Sequence, residues 1–252
     1  MNAFWQGRKI LVTGATRGIG AELTRQLMSK GARVIAVARN QAQLDQMQIQ
    51  FRNLVDVLAA DLSDPEMPRA VVNWVSDAHP DCSAVFNNAA VMTYPVLTTP
   101  ARSHLPNIAA EVQINLAAPM QICAGLLPVL ADHPEAQIVN ITSGLALAPK
   151  AEAPVYCATK AALRSFTRTL RYQIEDAALP IRVTEALPPV VDTTLSRGRP
   201  EKKMSPAETA HHILKGVADR RSEVWIGKAR LLPPLMRLSP RLCFGLMRNM
   251  QA

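Results

Sequence analysis

Apolar runs and amphipathic runs alternate along the chain. The apolar runs are short and rich in β-branched residues, as buried strands are, and the segments between them have the spacing of helices that bury one face. Apolar strands separated by helices are typical of a parallel sheet covered on both faces. The pattern therefore predicts an α/β fold with a doubly wound parallel sheet. The predicted strands are 9–14, 33–38, 55–61, 83–89, 137–143, 181–187 and 223–227, and the predicted helices are 18–29, 40–50, 65–78, 104–131, 154–177 and 205–220.

Length and composition favour one domain. The chain has 252 residues, of which 48% are hydrophobic, and this is enough for one substantial core. We assign residues 1–227 to that domain and residues 228–252 to a basic C-terminal extension. The four cysteines are widely spaced, form no C-x-x-C pair and are accompanied by no histidine pattern, so we predict no disulfide framework and no metal site.

The net charge of +8 is confined to the end of the chain. Residues 1–196 hold 16 basic and 16 acidic residues, whereas residues 197–252 hold 12 basic and 4 acidic residues. Aromatic content is 4%, and no known DNA- or RNA-binding motif accompanies the basic end, so no nucleic-acid partner is predicted. We find no run of about 18 uncharged apolar residues, and the first strand begins too early for a cleavable signal peptide. We therefore expect a cytoplasmic protein.

The first strand is followed by a glycine-rich turn, TGATRGIG, at residues 13–20. In a doubly wound sheet, ligands bind beyond the carboxyl ends of the strands. Gly14, Gly18 and Gly20 allow a tight turn and a close approach of the backbone to a pyrophosphate at the amino end of the next helix. This turn predicts a dinucleotide site.

A tyrosine and a lysine lie four positions apart in PVYCATKAAL, residues 154–163. On a helix, Tyr156 and Lys160 share one face, so the phenol and the ammonium can belong to one site. A nearby cation favours phenolate, and we expect Lys160 to lower the pKa of Tyr156 and make it a usable acid.

The two motifs together, G-x-x-x-G-x-G and Y-x-x-x-K, resemble the short-chain dehydrogenase/reductase family. The resemblance extends from Lys9 to about Gly227 and implies a Rossmann-type oxidoreductase. It implies that Tyr156 is the proton donor, that Ser143 binds the substrate oxygen, that Lys160 holds the cofactor ribose and that Asn115 positions a water of the proton relay. It also implies a homo-oligomer, a dimer or a tetramer.

The family's cofactor positions can be matched one by one. Asp61-Leu62 occupy the adenine position, Asn88-Ala89 belong to an N-N-A-A segment after the fourth strand, and Val191 and Thr193 match the residues that hold the nicotinamide amide. The resemblance thus implies a cofactor site made of Gly14, Arg17, Gly18, Ile19, Gly20, Arg39, Asp61, Leu62, Asn88, Ala89, Tyr156, Lys160, Val191 and Thr193.

The end of the second strand indicates which cofactor is bound. Ala38 stands at the position that is acidic in family members that prefer NAD, and Arg39 follows it. A neutral residue followed by an arginine can accept the 2′-phosphate of NADP, and Arg17 adds a second cation. NADP(H) is favoured over NAD(H).

The predicted substrate side is largely apolar. A hydrophobic ketone, aldehyde or secondary alcohol fits this composition, and a non-catalytic NADP(H)-binding redox sensor is the alternative function. Residues 192–205 read as a mobile lid whose cations, Arg197, Arg199, Lys202 and Lys203, could instead recognise an anionic carrier such as a phosphopantetheine thioester. The apolar positions are Met92, Tyr94, Leu145, Leu147, Val155, Leu187 and Leu195.

The basic extension carries an amphipathic pattern. Ser239-Pro240 predict a helix start, after which Leu242, Cys243, Leu246, Met247 and Met250 share one face and Arg241 and Arg248 lie nearer the polar side. We favour packing of this face on the substrate pocket or on a second subunit; contact with an anionic membrane surface and a disordered tail are the alternatives. This ending resembles a subgroup named for an association with D-alanylation of teichoic acid.

Overall fold

The seven predicted strands form one parallel sheet in the computed structural model, which describes residues 2–51, 55–99, 102, 104–196 and 203–248. The strands are β1 (Lys9–Thr13), β2 (Arg33–Ala38), β3 (Val55–Ala59), β4 (Cys82–Asn87), β5 (Ala136–Ile141), β6 (Ile181–Leu187) and β7 (Glu223–Trp225). Their order is β3-β2-β1-β4-β5-β6-β7. Every neighbouring pair is parallel. The predicted fold class, a doubly wound parallel sheet in one domain, is confirmed.

The helices follow the predicted segments with one interruption. The helix expected over 104–131 contains a π-helical turn, Gln113–Ala117, between two α-helices. The described helices are α1 (Asn2–Trp5), α2 (Gly18–Ser29), α3 (Gln41–Phe51), α4 (Met67–Ala78), α5 (His104–Val112), α6 (Ala118–Ala131), α7 (Pro154–Asp176), α8 (Pro206–Ala218), α9 (Leu232–Leu238) and α10 (Pro240–Arg248).

Two apolar layers cover the two faces of the sheet. On one face, Leu27 of α2 and Leu214 of α8 are fully buried against the strands. On the other face, Leu126 of α6 and Val75 of α4 are fully buried. Strands that are apolar on both sides require this arrangement, because each face must be removed from water. The short helix α1, which the pattern did not predict, adds the fully buried Trp5 to the first layer.

One helical stretch in the described ranges, His104–Ala131, is long and apolar enough to cross a membrane by length and composition alone. In the sequence, Glu111, Asn115, Gln121 and three prolines interrupt its apolar run, so the apolar pattern did not reveal it. Its inward side chains, such as Ile122 and Leu130, are fully buried against the sheet. A helix that forms part of a protein core passes the same test.

The C-terminal extension continues as a short 3-10 turn, Gly227–Leu231, followed by α9 and α10. Cys243 and Met247 are buried, whereas Leu242 and Leu246 are 52% and 59% exposed. The prediction that Leu242 and Leu246 share the buried face with Cys243 and Met247 is therefore wrong. The buried side chains of α10 form a single row of residues four positions apart. Met250 lies outside the described residues.

Candidate active site

A cleft of about 550 Å³ lies beyond the carboxyl ends of the strands. It opens where β1 and β4 are neighbours, and the chain leaves these two strands toward opposite edges of the sheet. This is the switch point at which doubly wound sheets bind ligands. The predicted site residues that line the cleft are Gly14, Arg17, Gly18, Ile19, Arg39, Asp61, Leu62, Asn88, Ala89, Tyr156, Lys160 and Thr193.

The glycine-rich turn leaves room for a ligand because its glycines have no side chains. Gly14 has a φ of +65°, and a Cβ there would lie 2.9 Å from the Ala89 Cα. A Cβ on Gly20 would overlap the Gly14 carbonyl oxygen. Gly20 is buried behind the turn, so it shapes the turn without lining the cleft. The amino end of α2 points at this space, and an anionic pyrophosphate fits it.

Thr13 and Asn88 tie the glycine turn to the segment after β4. The Asn88 Nδ2 donates to the Thr13 carbonyl oxygen at 2.9 Å. The Thr13 hydroxyl oxygen accepts from the backbone N–H groups of Asn88 and Ala89, both at 3.0 Å. The two predicted residues Asn88 and Ala89 therefore act together, and Thr13 is a supporting residue that the sequence analysis missed.

At the end of β2, Ala38 is buried and Arg39 extends into the solvent at the rim of the cleft. The Arg39 guanidinium lies 3.9 Å from the Asp61 carboxylate, and both are largely exposed. Burial works to raise the pKa of Asp61, but hydrogen bonds from Ser63 and the Arg39 charge outweigh it and lower this pKa. Arg39 thus remains accessible to an anion, because an exposed ion pair of this kind is weak.

Tyr156, Ser143 and Lys160 meet at the other end of the cleft. Tyr156 is 7% exposed, and its phenol forms a hydrogen bond with Ser143, which follows β5. The Lys160 Nζ donates to the Ile141 carbonyl oxygen at 2.7 Å and lies 5.7 Å from the centre of the Tyr156 ring. The helix α7 presents the phenol and the ammonium on one face, as their spacing predicts.

The expected depression of the Tyr156 pKa by Lys160 is wrong for this arrangement. Burial raises the pKa of the Tyr156 phenol, while the hydrogen bond with Ser143 works to lower it. Burial also lowers the pKa of the Lys160 ammonium to about 8, and Glu111 works against that shift. The cost of taking each charge out of water is the largest effect on both groups. Tyr156 is therefore a protonated phenol at neutral pH.

Asn115 lies in the π-helical turn, fully buried behind the cleft. Its Oδ1 accepts from the Val91 N–H at 2.9 Å, and its Nδ2 donates to the Val91 carbonyl oxygen at 2.8 Å. Protein partners thus occupy both ends of the amide, and the side chain braces the segment after β4. Its role in holding a water stays a prediction.

Ser143, Asn115, Gly20 and Val191 do not line the cleft directly. Val191 is buried where Asp192 N–H donates to the Met204 carbonyl oxygen at 2.9 Å, so it shapes the segment after β6. Thr193 of that segment reaches the glycine turn, where its methyl group lies against Gly18. Other lining residues carry no distinctive motif, and most lie in the glycine turn or near strand ends, among them Thr16, Asn40, Gln43, Ala60, Ala90, Val91, Thr142 and Thr194.

An apolar cluster surrounds Tyr156 at its end of the cleft. Cys243 and Met247 of α10 and Leu232 of α9 pack in the same cluster as Tyr156. The contact is close: a Cβ on Gly144, next to Ser143, would lie 2.9 Å from the Leu232 Cδ1. Of the seven predicted substrate positions, Met92, Leu145, Leu147 and Leu195 belong to this cluster, whereas Tyr94, Val155 and Leu187 do not.

The cationic lid is only partly described. Arg197, Arg199 and Lys202 lie outside the described residues. The Lys203 Nζ is buried and donates to the Ser196 carbonyl oxygen at 3.2 Å, with Asp192 at 3.9 Å. Lys203 is therefore held within its own segment, and the recognition of an anionic carrier by these cations stays a prediction.

The sheet order, the glycine turn and the cleft define a dinucleotide-binding protein of the Rossmann type. Similar solved structures share this fold: a short chain dehydrogenase from Burkholderia cenocepacia has a TM-score of 0.84 at 23% identity, covering 96% of this chain and 98% of the other. A second, from Burkholderia phymatum, has a TM-score of 0.80 at 18% identity, covering 93% and 95%.

The sequence comparisons identify the family. Residues 8–204 match the short chain dehydrogenase family. An uncharacterized oxidoreductase of Bacillus subtilis, DltE, is 34% identical over 221 residues, which cover 85% of this chain and 86% of the relative. The chain belongs to the short chain dehydrogenase family and is an oxidoreductase of that family.

Proposed function

We propose that the chain is an NADP(H)-dependent oxidoreductase that transfers hydride between the nicotinamide and the carbonyl or secondary alcohol carbon of a hydrophobic small molecule. The observation that carries this proposal is the buried phenol of Tyr156, which contacts Ser143 and lies beside Lys160 at the apolar end of the cleft. A protonated phenol beside a second hydroxyl suits the reduction of a carbonyl group.

Each side chain has a separate task in this mechanism. When bound, NADP(H) supplies or accepts the hydride. Tyr156 gives its proton to the substrate oxygen as negative charge accumulates there, and Ser143 donates a hydrogen bond to the same oxygen. Lys160 holds positive charge 5.7 Å from the centre of the Tyr156 ring and stabilises the phenolate that remains after the proton has left. Asn115 holds Val91, which lines the cleft, through its two amide hydrogen bonds.

The cleft fits a dinucleotide, and its charges favour the phosphorylated form. Gly14, Gly18 and the amino end of α2 would hold the pyrophosphate. Arg39, which follows β2, and Arg17 of the glycine turn both line the cleft. The end of β2 carries the neutral Ala38 and not an acidic side chain. The similar structure from Burkholderia cenocepacia is in complex with NADP and that from Burkholderia phymatum with NAD, so the preference for NADP(H) rests on these residues.

The apolar surroundings of Tyr156 favour a hydrophobic substrate. Met92 and Leu195 line the cleft next to Tyr156, and Leu145 and Leu147 complete its apolar cluster. Charged groups of a substrate would lose water on entering the apolar part of this space, which is unfavourable. We infer that ketones and aldehydes with large apolar groups bind best.

NADPH oxidation by the purified protein, followed with a panel of aldehydes, ketones and acyl thioesters, tests this function. We expect turnover with apolar carbonyl compounds and tighter binding of NADPH than of NADH in a fluorescence titration. Tight NADPH binding without turnover of any compound would favour the redox sensor. Equal affinity for the two cofactors would contradict the cofactor assignment.

We also propose that the chain forms a homo-oligomer. Leu105, Val112 and Met120 are exposed along the helical stretch from α5 to α6. Removing these side chains from water in a second copy would be favourable. Sedimentation of the native protein and of a Leu105→Ser variant tests this: a native mass of one chain would contradict the proposal.

A further inference from the structure

Glu111 is a buried carboxyl group beside the active site for which the mechanism above has no task. It is fully buried, and it is the only charged residue between positions 104 and 131, a stretch of otherwise apolar and neutral residues. A carboxyl group without a partner is costly to bury. Its position, one helical turn before Asn115, therefore requires an explanation.

One oxygen of Glu111 is engaged and the other is free. The Oε2 accepts from the Thr93 N–H at 3.1 Å and also from the Thr93 hydroxyl. The Oε1 is buried without a hydrogen-bond partner in the described part of the chain. Only Oε2 is needed to hold Thr93. Oε1 therefore remains available to a group in the active site.

The nearby titratable groups lie on α7, which packs against α5. Glu111 acts electrostatically on Lys160, Tyr156 and Cys157, while Thr93 faces it from the segment after β4. Burial raises the pKa of Glu111, against the hydrogen bonds from Thr93 and the charge of Lys160. Burial lowers the pKa of Lys160 to about 8. Because the two shifts have opposite directions, the proton affinities of the carboxyl and the amine differ less than they do in water, and a smaller difference favours proton exchange.

We propose that Glu111 stores the proton that restores Tyr156 after each reduction and delivers it through Lys160. After Tyr156 has given its proton to the substrate oxygen, an N–H of Lys160 breaks and the phenol O–H forms again through a bridging hydroxyl or water. The O–H of Glu111 then breaks as the N–H of Lys160 is renewed through a second bridging water, since no ion pair joins the two side chains directly in the described structure. Solvent protonates the resulting carboxylate before the next turnover, so one proton is taken up and no electrons move in this relay.

Two variants separate proton storage from support of the loop. Glu111→Gln keeps the size of the side chain and an oxygen that can accept from Thr93, but it cannot titrate. Thr93→Val removes the hydroxyl that binds Glu111 and leaves the carboxyl in place. If Glu111 only supports Thr93, Thr93→Val is the more damaging change; if Glu111 stores a proton, Glu111→Gln is.

Infrared difference spectroscopy of the full chain during a pH titration reads the carboxyl directly and needs no substrate. We expect the C=O band of a protonated buried carboxyl at neutral pH in the native protein and in Thr93→Val, and no such band in Glu111→Gln. A Glu111 that is ionised throughout the neutral range would overturn the proposal. If Glu111→Gln fails to fold, Glu111→Asp keeps the carboxyl and identifies the band by its displacement.

Steady-state reduction over many turnovers supplies the second measurement, which rests on the proposed function. At neutral pH, where native Glu111 holds its proton, we expect Glu111→Gln to lose about tenfold in kcat, less than the effect of about 10² or more for a direct proton donor. On the alkaline side, where native Glu111 has also lost its proton, the two profiles should converge. The pH profile of Thr93→Val should match that of the native protein. Identical profiles for Glu111→Gln and the native protein would overturn the proposal. If no compound is reduced, the proposed function fails, and the infrared titration still decides the role of Glu111.

Discussion

Different interactions hold the two ends of the cleft. At the cofactor end, backbone groups and short polar side chains form the surface, and the turn around Gly14 is fixed by hydrogen bonds that Asn88 donates to Thr13. At the substrate end, apolar side chains of α9 and α10 pack against Tyr156 and Leu145. Hydrogen bonds depend on direction and distance, whereas apolar contacts depend mainly on buried area. The first end therefore accepts few substitutions, and the second can be reshaped while the fold remains.

Tyr156 lies where the two ends meet, and its removal has the largest expected effect. Tyr156→Phe keeps the buried ring and deletes only the proton donor, so reduction should fall by about 10² to 10⁴-fold. NADPH affinity should change little, because the glycine turn and Arg39 are untouched. The rate of NADPH oxidation and a fluorescence titration measure the two quantities. Retention of most of the turnover would show that another group donates the proton.

Arg39 tests the charge at the cofactor end. Arg39→Ala should weaken NADPH binding by about ten- to a hundredfold, the value of a charge-assisted contact of about 1.5 to 3 kcal/mol, and leave NADH binding nearly unchanged. Arg33→Ala is a matched control, because Arg33 lies at the amino end of the same strand, away from the cleft. There its guanidinium is 3.8 Å from the Asp56 carboxylate. Equal losses for the two cofactors would refute a contact with the 2′-phosphate.

Most of the cofactor end could be predicted from the sequence, and most of the substrate end could not. The glycine turn and the Tyr156–Lys160 pair depend on local spacing, which is visible in one segment of chain. Thr142 and Thr16 line the cleft only because the carboxyl ends of separate strands lie on the same side of the sheet. The choice between Leu246 and Met247 as a buried residue depends on how α10 is rotated against the domain. That rotation is set by tertiary packing, because both residues are apolar.

Gly20 tests how tightly the cofactor end is fixed. Gly20→Ala would push its methyl group into the Gly14 carbonyl, and overpacking of this kind costs about 1 to 3 kcal/mol of unfolding free energy. Gly245→Ala in α10 is the contrasting change: no atom lies within 4 Å of its added Cβ, so the helix should gain about 0.5 to 1 kcal/mol. Urea unfolding measures both. A stabilised Gly20→Ala variant would show that the turn can relax.

The smallest expected effect is at the substrate end, where adjacent residues of α10 face opposite ways. Met247 is 9% exposed in the cluster around Tyr156, and Leu246 is 59% exposed. Met247→Ala should cost about 1 to 2 kcal/mol, below the range for a fully enclosed methionine, because α10 lies at the edge of the domain; Leu246→Ala should stay within about 0.5 kcal/mol. Only Met247→Ala should raise the KM of an apolar ketone, since it alone removes a buried side chain from the apolar cluster around Tyr156. A larger effect of Leu246→Ala would mean that its face is covered in the working protein, either by a second subunit or by an anionic membrane. Solution mass and co-sedimentation with vesicles that contain phosphatidylglycerol would then distinguish these two partners.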